Sequence, residues 1–163
     1  KHMKNIFLSL ILILASFQLK AQTLKTTFHN SWDRWQLNGK TFQTVFANDY
    51  GNWECGSTSI KLTFSNDWSR WTVGNSTTLN VVFFDAYDQW EIKSGDQTVK
   101  VKTTFNDDFE RWEISGDAEG TMRTVFSKSY DQWNIDVAFG QLPQEMRDAI
   151  VFVAIYTRFP GKS

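Results

Sequence analysis

The side chains that most often carry chemistry are scarce in this sequence. Past the first 21 residues there is one histidine, His29, and one cysteine, Cys55. A lone imidazole leaves no multi-histidine metal site, and placed among turn residues it reads as a solvated side chain rather than the base of a triad. Cys55 falls at a repeat position that elsewhere holds Leu, Val or Ile, so it reads as a core thiol and not a nucleophile. Asp49, Asp67, Asp85, Asp107 and Asp108 could offer oxygen to calcium, but they come one or two to a turn, without the D-x-[DN]-x-[DN]-G spacing of a calcium loop. Side chains that close Asx turns are the better reading. No nucleophile stands beside a base, so the expectation is a non-catalytic chain with neither metal nor cofactor.

Binding chemistry is carried instead by aromatic residues. Trp32, Tyr50, Trp68, Tyr87, Phe109 and Tyr130 each lie three positions before a tryptophan, in or beside a turn containing Asn or Asp. Such rings either fold over one end of the molecule as a hydrophobic lid, or form a rim that stacks on sugar faces or touches a partner protein. Arg34, Arg70 and Arg111 precede the tryptophan in alternate copies, and Asn52, Gln89 and Gln132 stand there in the others. That alternation predicts two kinds of environment around a closed sheet, or three guanidinium groups stacked on Trp or Tyr of neighbouring hairpins. The six aromatics and three arginines together are the candidate binding residues.

The elements that must position them are repeats. The pattern Phe, three residues, aromatic, two residues, Trp occurs as Phe28/Trp32/Trp35, Phe46/Tyr50/Trp53, Phe64/Trp68/Trp71, Phe83/Tyr87/Trp90, Phe105/Phe109/Trp112 and Phe126/Tyr130/Trp133. Successive Phe are 18, 18, 19, 22 and 21 residues apart, which marks an internal repeat. Before Phe the sequence alternates with period two, as in Ile60-x-Leu62-x-Phe64 and Leu79-x-Val81-x-Phe83, the signature of a strand with one apolar face. Two residues after each Trp comes an apolar or thiol side chain: Leu37, Cys55, Val73, Ile92, Ile114 or Ile135. This predicts a second strand, and both the Phe and the Trp of each copy are assigned to the inner face. Asn38-Gly39, Gly74-Asn75 and Gly95-Asp96 separate copies as hairpin turns. Two turn signals per copy give about twelve short antiparallel strands; a right-handed β-solenoid fits that spacing poorly.

After the sixth copy the pattern changes. Pro143 and Glu145 lead into Asp148 and the unbroken apolar run Ala149 to Tyr156, which reads as a helix starting near Pro143; its β-branched residues also permit a buried strand. A helix apolar on all sides must be surrounded. Barrels of about eleven strands can enclose a helix, so the prediction is a mainly β, twelve-stranded meander closed into a barrel around the C-terminal helix.

Composition sets the remaining bounds. Aromatic residues make up 16% of the 163 residues, against 2 Pro, which excludes a disordered chain. Met3, Lys4 and the apolar run from Ile6 to Phe17 have the layout of a secretory signal peptide, with cleavage expected near Ala21. Lys1 and His2 precede that start and read as a cloning remnant. The run is too short to span a bilayer, so no transmembrane segment is expected in the mature chain, a single domain over 22–163 that is periplasmic or secreted. Removing residues 1–21 leaves 14 basic against 18 acidic residues. That balance argues against nucleic acid and anionic surfaces as partners.

Six hairpins with an aromatic-rich turn, followed by an apolar helix, resemble the tubby C-terminal fold of LURP-one-related and scramblase-like proteins. The residues carrying the resemblance are the Phe...Trp-x-Ile units, clearest from Val125-Phe126 to Trp133-Asn134-Ile135, and the closing run Asp148 to Ile155. The resemblance spans nearly all of 24–158 and implies a non-enzymatic domain that associates with lipid. The clustered basic residues expected of phosphoinositide recognition are not present here. The expected partner is a lipid or apolar ligand, and the alternative is a glycan or protein held by the turn aromatics.

Overall fold

A computed structural model describes residues 21–29, 31–83 and 86–157; the expected export signal and Asp85 lie outside the described residues. The strands are β1 (Gln22–Thr26), β2 (Arg34–Leu37), β3 (Lys40–Thr44), β4 (Asn52–Cys55), β5 (Thr58–Leu62), β6 (Arg70–Val73), β7 (Thr77–Val81), β8 (Gln89–Ser94), β9 (Gln97–Thr103), β10 (Arg111–Gly116), β11 (Glu119–Phe126) and β12 (Ser129–Ala138), followed by helix α1 (Gln144–Tyr156). Each strand pairs antiparallel with its sequence neighbours, and β1 pairs with β12 through Leu24 opposite Trp133 to close the barrel. No sheet edge is left open to add a foreign strand.

Period two decides which side chains enter the lumen. Trp35, Trp53, Trp71, Trp90, Trp112 and Trp133 are fully buried, and so are Phe42, Ile60, Leu79, Val99, Val101 and Met122. The alternate positions turn polar side chains outward, such as Gln36, Lys61, Lys93, Lys100, Lys102 and Glu113. The wall is therefore apolar inside and polar outside, the reverse of the alternation in a barrel that crosses a bilayer with its strands.

One part of the inward assignment is corrected. The repeat phenylalanines Phe28, Phe46, Phe64, Phe83, Phe105 and Phe126 are 56–67% exposed and do not belong to the core. Alternation orients a side chain only where a ladder holds the backbone. The odd strands from β1 to β9 end two residues before Phe, while Phe126 lies past a register shift at the end of β11. There the Phe carbonyl accepts a turn N–H, from Ser31, Asp49, Asp67, Ala86 and Asp108 in successive copies, and the side chain is left at the loop tip.

Helix α1 fills the lumen, with Met146 and every residue from Asp148 to Tyr156 buried. Phe152 meets Trp53 and Trp71 edge-on at 5.7 and 5.0 Å, and Tyr156 meets Trp71 and Trp90 at 5.6 and 4.9 Å. At the tight-turn end of the barrel two polar clasps fix it. Lys40 Nζ donates to both carboxylate oxygens of Asp148 at 2.6 and 2.7 Å, and Gln144 adds a bond at 2.9 Å. Glu145 accepts the N–H groups of Asn75 and Ser76 and the hydroxyls of Ser76 and Thr77. Cys55 is buried in the wall as a core thiol. Burial, reinforced by the Asp148 charge, pushes its thiol up to about 12, too high for a ready nucleophile.

Candidate functional site

All six aromatic loops emerge at one end of the barrel, because each joins an odd strand to the following even strand; the tight turns and the start of α1 occupy the other end. Five of the six loops share one construction, and the Trp112 indole N–H of the remaining one is buried without a hydrogen-bond partner among the described residues. The indole N–H of the buried Trp donates to the carbonyl of the aromatic three residues earlier: Trp35 to Trp32 (3.0 Å), Trp53 to Tyr50 (2.8 Å), Trp71 to Trp68 (3.0 Å), Trp90 to Tyr87 (3.1 Å) and Trp133 to Tyr130 (2.9 Å). Each such pair of rings lies 5.9–6.3 Å apart, the Phe109–Trp112 pair included. An indole buried without a partner for its N–H is costly, so the loop carbonyl fixes both rings at once.

The sequence candidates are therefore distributed unevenly. Trp32, Tyr50, Trp68, Tyr87, Phe109 and Tyr130 are half-buried and packed against the core, a lid over the mouth of the barrel; Tyr87 lies 5.9 Å from Tyr156 at the end of α1. Arg34, Arg70 and Arg111 stand on the outer wall, each opening a strand at this end. Arg34 donates to Gln43 at 2.8 Å, and Gln43 in turn to Glu54 at 2.5 Å. Arg70 lies 6.0 Å over Phe64 of its own loop and 3.6 Å from Asp67, not on a Trp or Tyr of the next hairpin. Arg111 sits opposite Arg123 on β11. His29 is exposed in the first loop.

Carboxylates stiffen these loops. Asp49 accepts the N–H of Gly51, Asp67 the N–H and hydroxyl of Ser69, and Asp108 the N–H of Glu110. Asp33 and Asp131 accept the hydroxyls of Ser31 and Ser129. The Ser69 hydroxyl holds Asp67 below the usual carboxylate range, so it is ionised at neutral pH. Asn48, Asn66 and Asp107 take left-handed backbone, with φ of 61°, 64° and 61°, which Asn and Asp tolerate better than other side chains.

The residues that sequence reasoning misplaced are the six tip phenylalanines. Val45 and Val82, each immediately before a tip Phe, are exposed as well. The available signal was positional: each Phe immediately precedes the polar turn, where a strand has run out of partners. Compared with known proteins, the chain matches no family model, no curated protein and no solved structure.

Proposed function

We propose that this is an exported, non-catalytic binding domain that engages lipid or an apolar ligand through the loop end of the barrel. The observation that carries the reading is the set of six exposed phenylalanines on one rim. With a ring side chain of about 200 Å², their exposed part comes to roughly 700 Å². That is more than the 300–600 Å² of the largest apolar patch on a typical monomer. The twelve-strand barrel around an apolar helix is the architecture implied by the tubby-like resemblance, whose lipid association supports the same reading.

A glycan or protein partner is the second reading, favoured by the half-exposed Trp32 and Trp68 among polar side chains. The tip position weighs against it: six of six tips are Phe, with no polar handle, whereas the lid position takes Trp, Tyr or Phe. The test is co-migration with micelles of an uncharged alkyl polyoxyethylene detergent. Binding that Phe46→Ser with Phe83→Ser abolishes is the expected result. Absence of binding, or equal binding by the double variant, overturns the proposal.

A further inference from the structure

We infer that the rim docks end-on against a zwitterionic, ammonium-bearing lipid surface, with the six phenylalanines immersed at the boundary between head groups and hydrocarbon. This rests on the apolar-rim reading and narrows it to one occupant. Three observations carry it.

The first is spacing. Each copy contributes two strands to the wall, and strands lie about 4.8 Å apart, so neighbouring tips stand on the order of 10–12 Å apart around a ring some 20 Å across. A folded partner would have to present matching pockets at that interval around a circle. A fluid lipid surface fills the gaps between separate wedges without any such match.

The second is chemistry at the tips. The side chain at every tip is hydrocarbon alone, suited to immersion below the head groups, whereas Trp and Tyr keep a polar end in the interface. The third is charge. Behind the tips the loops carry Asp33, Asp49, Asp67, Asp88, Asp107 and Asp108, with Lys128 the one lysine in those loops among the described residues. One step further down the outer wall stand Arg34, Arg70 and Arg111, with Lys61, Lys102 and Arg123 exposed at the same level opposite Asn52, Gln89 and Arg111, and Arg70 is close to Asp67. The carboxylates thus lie between the tips and the bases, so this end presents balanced charge with its acids foremost. That arrangement gives anionic head groups no net attraction and complements a surface whose outermost charge is an ammonium group.

The experiment is flotation of the protein with phosphatidylcholine vesicles at low and high salt, beside vesicles enriched in phosphatidylglycerol. The expected result is binding to phosphatidylcholine that salt leaves unchanged and that phosphatidylglycerol does not strengthen. Phe64→Ser with Phe105→Ser is expected to weaken it about a hundredfold, roughly tenfold per ring. Phe64→Leu with Phe105→Leu retains binding within about threefold, because immersion needs hydrocarbon and stacking needs a ring. The rings are exposed, and near-ultraviolet circular dichroism of the buried tryptophans checks that each variant is folded. Flotation only with phosphatidylglycerol and lost in salt overturns the inference, as does Ser-variant flotation equal to the parent's. Rim-dependent dimers in sedimentation without flotation overturn it in favour of a second copy. Detergent-micelle binding without vesicle flotation overturns this inference alone, whereas failure in both overturns the apolar-rim reading as well.

Discussion

Lys40 and Asp148 show how one polar pair disciplines an apolar interior. Asp148 has 4% of its side chain exposed and Lys40 31%, so removing the lysine strands a carboxylate with only Gln144 for company. Breaking a buried pair costs about 3–5 kcal/mol, and the partial exposure of Lys40 lowers the expectation to about 2–4 kcal/mol. Lys40→Met is predicted to lower the melting temperature by roughly 10 °C, and Lys40→Met with Asp148→Leu to recover most of it. A double variant no more stable than the single one would show that the pair is not the cause. Gly116 is a second single-residue constraint. Its φ is 101°, and a Cβ there would lie 2.4 Å from the Thr98 carbonyl oxygen. Gly116→Ala is expected to cost about 2–4 kcal/mol in urea denaturation, since both the backbone region and the space are wrong for a side chain.

Helix α1 depends on its clasps because Pro143 at its N-cap supplies no side-chain cap. Glu145 fills that need from within the first turn, bonded to the β6–β7 turn. Burial alone would raise the Glu145 pKa, but bonds from Asn75, Ser76 and Thr77 outweigh it and hold the group below its ordinary 4.5. The folded protein therefore gives up this proton more readily than the unfolded chain. The clasp contributes fully above about pH 4.5 and is lost as pH falls through the lower folded value. Glu145→Gln is predicted to melt lower than the parent at neutral pH, with the gap narrowing as pH drops below about 4.5. A gap constant across that window would refute the clasp. Asp67, also lowered, keeps an acid-sensitive component in both proteins.

At the scale of the whole molecule, the barrel and the helix complete each other. Twelve strands enclose a lumen too wide for the wall's side chains to fill, and α1 supplies the missing volume through Phe152, Tyr156 and the aliphatic residues between them. Phe152→Ala should cost about 3–5 kcal/mol, as a cavity opens between Trp53 and Trp71. Deleting the helix from Gln144 onward should leave no cooperative unfolding transition; a truncated chain that still melts sharply would mean the wall stands alone. The tryptophans hold the mouth from within while the phenylalanines face outward, so one end of this barrel is apolar on both sides of its lid.

The repeat of Phe, aromatic and Trp was enough to read twelve strands, the inward tryptophans and the core position of Cys55, and the apolar run Ala149 to Tyr156 was enough to read the enclosed helix. Each of these follows from local periodicity or from the requirement that an apolar surface be covered. The same periodicity put the tip phenylalanines inside, because parity carries no record of where a ladder ends. The length of each ladder, the bonds from indole to loop carbonyl and the room taken by Tyr156 at the mouth are set by strands distant in sequence. Only the closed tertiary structure, with that space already filled, left six phenylalanines on one rim.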